Sequence, residues 1–293
     1  MKPYFDVIVV IPVGPNSSVA FVVDTLRSYA FHTASTYKIV IADDSHQGLG
    51  TAIQSDFPEA DVIGSAKPMG GWAGLYIMLS EAYQHALLNY NFKALLKIDT
   101  DALVIGSEPE REALALFHEQ PFMGIAGQYP LDYHGVQWDL GWPKDRILNG
   151  VTTWKFIKRP IANIALRKQY KQAVANGYKA GESVFGGAYF VNYSLVAKLY
   201  EQELLPNRKF ITLNLGEDHI FALLSLAMGF QLGDLASGNL PFGCAWKGLA
   251  AHPEELLQRN KKIIHSTRYW QNMDEEEIRS WFRARRVSTA LNP

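Results

Sequence analysis

The chain has 293 residues, with 28 Lys plus Arg against 29 Asp plus Glu and a formal net charge of −1. That near balance counts against a dedicated nucleic-acid binder, which carries a basic excess, and no nucleic-acid partner is expected. With 48% hydrophobic and 19% charged residues the chain reads as globular rather than disordered, and its single cysteine, Cys244, excludes an internal disulfide and a Cys-based zinc site.

In chain order, the β-branched run Val7–Val13 predicts a buried strand closed by Gly14-Pro15-Asn16. It is too short for a signal core or a membrane span, so a cytoplasmic setting is expected. A helix is predicted over 19–31, with Val22, Val23, Leu26 and Tyr29 on one stripe. The run Tyr37–Ala42 predicts a second strand ending in Asp43-Asp44-Ser45, and Asp61–Gly64 a third. Pro68 to Gly74 opens a long helix reaching about Tyr90, and Phe92–Ile98 forms a strand ending in Asp99-Thr100-Asp101. This alternation predicts βαβ units, a mostly parallel sheet and an α/β fold. In such sheets ligands bind beyond the carboxyl ends of the strands, so the polar residues there are the first candidates.

Farther along, the pattern predicts a helix at 108–118 and a strand at 122–127, then an aperiodic loop over 128–150. Loops of that length inside compact domains are usually functional. A basic helix follows at 161–178, a strand with a Gly-Gly break at 183–192, and a helix at 194–204. Gly216-Glu217-Asp218-His219 opens an apolar helix to about Gly229, 230–270 mixes short strands and loops, and 274–286 is a charged helix.

Asp99 and Asp101 are hard oxygen ligands at the end of a buried strand, suited to Mg²⁺ or Mn²⁺, although Asp is also favoured in plain turns. Asp43 and Asp44 can accept hydrogen bonds from a base or ribose, or simply cap a helix or turn. Gly70, Gly71 and Gly74 let backbone approach a ligand ahead of a helix N-terminus, but this is no P-loop, since no Gly-Lys-Ser or Gly-Lys-Thr follows. Glu217 and Asp218 at a helix start serve either as caps on the macrodipole or as a general base. Two histidines compete as metal ligand: His265, after the apolar pair Ile263-Ile264, and His252.

Taken in order, these pieces resemble the GT-A glycosyltransferases, most closely the inverting family 2, over about residues 6–270. Ile11-Pro12-Val13-Gly14 matches the first strand end, Asp43-Asp44-Ser45 the second (without the usual Gly), and 70–74 the Gly loop, here without the Ala-Arg-Asn many members carry. Asp99-Thr100-Asp101 matches the Asp-x-Asp motif, Gly186-Gly187 the later Gly-Gly strand, and Gly216-Glu217-Asp218 the x-Glu-Asp motif.

The resemblance implies a mostly parallel Rossmann-like sheet in one unit. Residues 1–105 would be its nucleotide half, 106–270 its acceptor half, and 271–293 a helical tail. It implies transfer of a sugar from UDP- or another NDP-sugar to a hydroxyl of a glycan or lipid-linked acceptor. Asp99, Asp101 and His265 would hold Mn²⁺ or Mg²⁺. Pro12, Val13, Gly14, Asp43, Asp44, Gly70, Gly71, Asp99, Thr100, Asp101 and Gly187 would bind the donor. Asp218 would be the base, with Glu217 orienting the acceptor.

Two other readings of the same residues are a phosphatase using Asp99 as nucleophile and a module that binds nucleotide-sugar without transferring it. Phosphatases carry Asp-x-Asp on their first strand, whereas here it stands at residue 99 after several α/β units. Tyr133, Trp138 and Trp142 offer flat rings for sugar faces. Ile278, Trp281 and Phe282, ringed by arginines, could lay the tail helix on an anionic membrane surface or pack it on the core.

Overall fold

The computed structural model describes residues 1–152 and 157–291. The acceptor half expected over 106–270 therefore includes four residues, 153–156, that lie outside the described ones. The first strand, β1 (Tyr4–Val13), leads into α1 (Val19–His32), whose Ser18 side chain caps the Phe21 N–H. Next come β2 (Tyr37–Asp43), α2 (Leu49–Gln54), β3 (Asp61–Gly64), α3 (Ala73–Asn89), β4 (Asn91–Ile98) and the short β5 (Ala102–Val104). The second half runs through α4 (Arg111–Glu119), β6 (Met123–Gly127), α5 (Gly141–Val151), α6 (Pro160–Ala175), β7 (Ala188–Asn192) and α7 (Tyr193–Glu201). It ends with α8 (Glu217–Ala227), β8 (Gln231–Asp234), β9 (Phe242–Cys244), α9 (Pro253–Gln258), β10 (Ile263–His265), the hairpin β11 (Tyr269–Trp270) and β12 (Met273–Asp274), and α10 (Glu275–Leu291).

Seven strands form one sheet in the order β3-β2-β1-β4-β7-β6-β8. All its neighbours pair in parallel except β7, which is antiparallel to β4 and β6. Strand order reverses at β1, leaving a crevice at the carboxyl ends of β1 and β4, where open α/β sheets bind ligands. Because β7 runs the other way, its beginning, next to Gly187, lies at the same edge. A second sheet, β5-β10-β9, stands beyond β4 and sets His265 opposite Ala102. This is the α/β class the sequence predicts, with helices on both faces.

The period-2 alternation of β1 divides the core. Val7, Val9, Ile11 and Val13 pack with α1 and Ile263, whereas Ile8 and Val10 pack with α3 and α8. On the second side α3 is buried nearly all round, with Tyr76, Ile77, Tyr83 and Ala86 fully covered.

Two expectations need correction. The stretch 128–150 is not all loop: α5 occupies its end, with Pro143, Ile147 and Val151 turned inward at four-residue spacing. Gly141, Pro143 and Gly150 within that helix masked its periodicity, being poor helix formers. The strand expected from Ser183 is confined to Ala188–Asn192, because Gly186 and Gly187 are given over to a close approach described below.

The tail helix α10 turns its apolar side to the body. Ile278 and Phe282 are buried among Leu103, Ile105, Leu256 and Ile264, with Trp281 half-buried beside them. Its Arg279, fully buried, pairs with Asp24 and Glu275. Among the described residues no helix is long and apolar enough to cross a membrane.

Candidate functional site

Strand β4 delivers Asp99, and a tight turn returns the chain as β5, so that Asp101 follows after a single residue. The turn is closed by the Ala102 N–H on the Asp99 carbonyl, and the Asp99 N–H donates to the Gly187 carbonyl. From the second sheet, β10 brings His265 alongside. Its Nε2 lies 3.2 Å from Asp101 Oδ1 and 3.9 Å from Asp99 Oδ2. Ligand atoms of Asp99, Asp101 and His265 all fall within 4.8 Å of one another.

His265 Nδ1 stands 2.9 Å from the Ala245 carbonyl. A carbonyl only accepts, so Nδ1 carries a proton and Nε2 is the nitrogen presented to the carboxylates, the tautomer control typical of metal-binding histidines. Gly187 makes room for that ring, since a Cβ there would sit 2.4 Å from His265 Cγ. The competing His252 is exposed and caps α9, its Nδ1 accepting the Glu254 N–H.

The donor set fits a hard divalent cation: two carboxylates and one imidazole with a fixed tautomer. Asp101 Oδ2 is buried and accepts no aligned hydrogen bond, although Arg268 Nε approaches to 2.9 Å. Burial would raise the Asp101 pKa, but the His265 hydrogen bond and the His265 and Arg268 charges outweigh it and hold the carboxyl well below its usual range. Burial would conversely lower His265, and Asp101 and Asp99 raise it above the ordinary histidine value.

Lys97 is the residue that joins this cluster to the second acidic pair. Its side chain is fully buried, and Nζ lies 2.7 Å from Asp99 Oδ1 and 3.2 Å from Glu217 Oε1, with a further hydrogen bond to the Gly186 carbonyl. Burial disfavours the ammonium, but Asp99 and Glu217 more than offset it, so Lys97 stays charged. Burial likewise pushes Glu217 up, with Asp218 and Asp99 adding to the rise and Lys97 opposing it.

Asp218 is half-buried at the first turn of α8. One oxygen accepts the His219 N–H, and the other lies 3.1 Å from where a Gly186 Cβ would stand. The Gly-Gly pair therefore lets His265 and Asp218 both close on β7.

The ends of β1 and β2 are tied to their own loops. Asp43 accepts the Ser45 and Gly50 N–H groups, the local turn role also open to it from the sequence. Asp44 accepts from Ser65 Oγ and from the Met69 and Gly70 N–H groups, anchoring the loop ahead of α3. The Val13 carbonyl accepts the Asp44 N–H, and the Gly14 N–H donates to Ser17 Oγ. Pro12 is half-buried beside them. Gly70 has a φ of +71°, while Gly71 is exposed. Gly74 is required by packing: a Cβ there would meet the Met69 carbonyl at 1.9 Å.

Several residues here escaped the sequence reading. Lys97 reads as one more member of a buried run, yet a lysine two positions before Asp99 shares its face of the strand, and that signal was available. Arg279 was not foreseeable. It donates from Nη2 to the Thr100 carbonyl at 2.8 Å, and Thr25 Oγ1 reaches the same atom at 3.3 Å. The tail thus buttresses the back of the Asp99–Asp101 turn. Of the aromatic trio, Trp138 stacks on Phe185 and Tyr133 is buried against Glu255 and Arg259, whereas Trp142 is exposed and faces Trp72 at 5.1 Å.

No protein-family model matches the chain, and no curated protein matches it by sequence. Solved structures resemble it in shape. A mannosyltransferase from Pyrobaculum calidifontis, in complex with GDP-Man and Mn²⁺, aligns over 100% of this chain and 67% of its own, at 11% identity and a TM-score of 0.49. The bifunctional glycosyltransferase WbbM aligns over 95% and 49%, at 12% identity and 0.48. Residues 1–349 of S. aureus TarS align over 97% and 72%, at 12% and 0.47. The chain spans about half of the WbbM structure.

Proposed function

We propose that the protein is a metal-dependent glycosyltransferase of the GT-A type, akin to the inverting family 2, that moves a sugar from a nucleotide-sugar to an acceptor hydroxyl in glycan or cell-envelope polysaccharide synthesis. The observation that carries this reading is the convergence of Asp99, Asp101 and His265 within 4.8 Å at the carboxyl edge of β4, with Glu217 and Asp218 alongside.

Asp101, Asp99 and His265 would hold Mn²⁺ or Mg²⁺, which when bound neutralises the charge that develops on a leaving diphosphate. Arg268, already beside Asp101, adds a second cation for that diphosphate. Thr100 and the carbonyl of Gly187 shape the floor under the donor. Pro12, Val13, Gly14, Asp43 and Asp44 would form the wall for base and ribose, with Gly70 and Gly71 leaving backbone free to approach it. On this reading residues 1–105 make the nucleotide half and 106–270 the acceptor half.

Asp218 would take the acceptor hydroxyl proton. The acceptor oxygen bonds to the anomeric carbon from the face opposite the diphosphate, and the C–O bond to the diphosphate breaks with its electron pair leaving on that group. Inversion follows from this geometry. A general base contributes about 10²–10⁴-fold in rate. Glu217, held by Lys97, fixes the first turn of α8 and so the direction of Asp218.

The test is incubation of the full chain with Mn²⁺ and a panel of NDP-sugars, with acceptors scored by product NMR. Asp218→Asn is expected to keep donor binding and lose transfer. A product of retained configuration removes the inverting assignment. Binding without turnover on any acceptor favours the non-catalytic module, and undiminished transfer by Asp218→Asn removes Asp218 as base.

A further inference from the structure

A cavity of about 440 Å³ lies between α5, the start of α6 and the segment Leu213–Leu215. It falls within the size range of small-molecule sites, roughly 300–1,000 Å³. Among the described residues its charged lining is Arg146, Lys158 and Arg159, with no carboxylate. In a chain with a net charge of −1, three cations around one hollow are a local departure that favours an anionic occupant.

Arg146 is built in rather than trailing in solvent. Its guanidinium stacks 4.2 Å from the Trp142 ring centroid and 5.4 Å from that of Trp72, and Nη1 donates to the Asn214 carbonyl. Stacking fixes the plane of a guanidinium and presents its remaining N–H groups as a fork, the geometry that suits carboxylate or phosphate.

The cavity is joined to the acidic pair along the chain. Its wall, Leu213-Asn214-Leu215, runs directly into Gly216-Glu217-Asp218. Trp142 lies 6.3 Å from the ring of His219, the residue after Asp218. Glu217, at the start of α8, is tied through Lys97 to Asp99 of the metal-ligating cluster. Trp72 and Trp142, both exposed and both against the cavity-lining Arg146, offer apolar faces on which a sugar ring can lie.

We infer that this cavity is the acceptor subsite and that the acceptor carries an anionic group, a phosphate or a carboxylate, beside the sugar that receives the transfer. The sugar ring rests on Trp72 and Trp142, and the anion is taken by Arg146, Lys158 and Arg159. This inference rests on the glycosyltransferase reading. It adds a substrate class that the acidic centre alone does not specify.

The experiment is calorimetry on the full chain with glucose, glucose 6-phosphate and glucuronate as probes, alongside nucleoside diphosphates with Mn²⁺. The anionic sugars are expected to bind at least about tenfold more tightly than glucose, a difference of about 1.4 kcal/mol, and the tighter of the two names the anion. The double variant Lys158→Gln, Arg159→Gln, both exposed, is expected to remove that preference and leave nucleoside diphosphate affinity unchanged. Arg146→Lys, which keeps the charge and loses the stack, is expected to weaken it. Equal affinity for the three sugars overturns the inference. So does a preference that survives the double variant. Loss of nucleoside diphosphate affinity in that variant also overturns it, by assigning the cavity to the donor. Absence of Mn²⁺-dependent nucleotide binding in the unaltered chain would instead sink the glycosyltransferase reading.

Discussion

Around Asp101 partners close in from several directions: the buried His265 and the exposed Arg268 on the carboxylate, the buried Thr267 on the carbonyl, and the buried Arg279 behind Thr100. Around Trp142 they are exposed, held by ring stacking on Trp72 and Arg146. In the first region each buried charge has a partner, as the cost of burying an unpaired charge requires. The second uses flat rings and cations at the surface, which tolerate different ligands. A metal and diphosphate demand fixed ligand positions, whereas an acceptor surface need only orient a hydroxyl. On the proposed reading, the common chemistry falls to the first region and substrate choice to the second.

Four changes separate them, in falling order of effect. Asp101→Ala should abolish Mn²⁺-dependent nucleotide binding, read as loss of the thermal shift that nucleotide plus metal gives the unaltered chain. Lys97→Met should destabilise the fold by about 3–5 kcal/mol, because it leaves the buried Glu217 without its cation and takes from Asp99 its nearest one. Urea unfolding measures this, and a loss under about 1 kcal/mol would mean the ion pairs contribute little.

Gly187→Ala should displace the His265 ring and weaken metal affinity by about 10–100-fold, as losses around metal ligands do. Calorimetry with Mn²⁺ reads that change directly, and unaltered affinity would exclude His265 as a ligand. Trp142→Ala should leave nucleotide and metal binding untouched and raise the acceptor KM several-fold, with stability changed by about 0.5 kcal/mol or less, as for an exposed residue. A fall in nucleotide affinity would erase the division between the regions.

The elements that the sequence announced are those with one clear period. Val7–Val13 and the α1 stripe stand where their patterns put them, because burial on one or both faces leaves few registers open; Asp61–Gly64 also forms its strand, although none of its residues is buried. The order of Asp99, Asp101, Glu217, Asp218 and His265 was legible because each sits at a strand or helix end. Long-range contacts were not. Nothing local in Arg279 points to the Thr100 carbonyl across 179 positions, and nothing in Trp72 points to Trp142. Helix α5 was hidden by its own glycines and proline. Which histidine stands beside Asp99 and Asp101 came only from strand pairing, since β10 sets His265 against β5 while His252 caps α9.

The central claim is that Asp99, Asp101 and His265 hold a divalent ion that binds the donor diphosphate. Calorimetry of nucleoside diphosphates with the full chain, with Mn²⁺ and then with EDTA, tests it most directly. At least one nucleoside diphosphate should bind in Mn²⁺, lose affinity by about 100-fold or more in EDTA, and fail to bind Asp101→Ala, in line with a metal that carries most of the phosphate interaction. Binding that is indifferent to EDTA and to Asp101→Ala, or no binding of any nucleoside diphosphate, would contradict it.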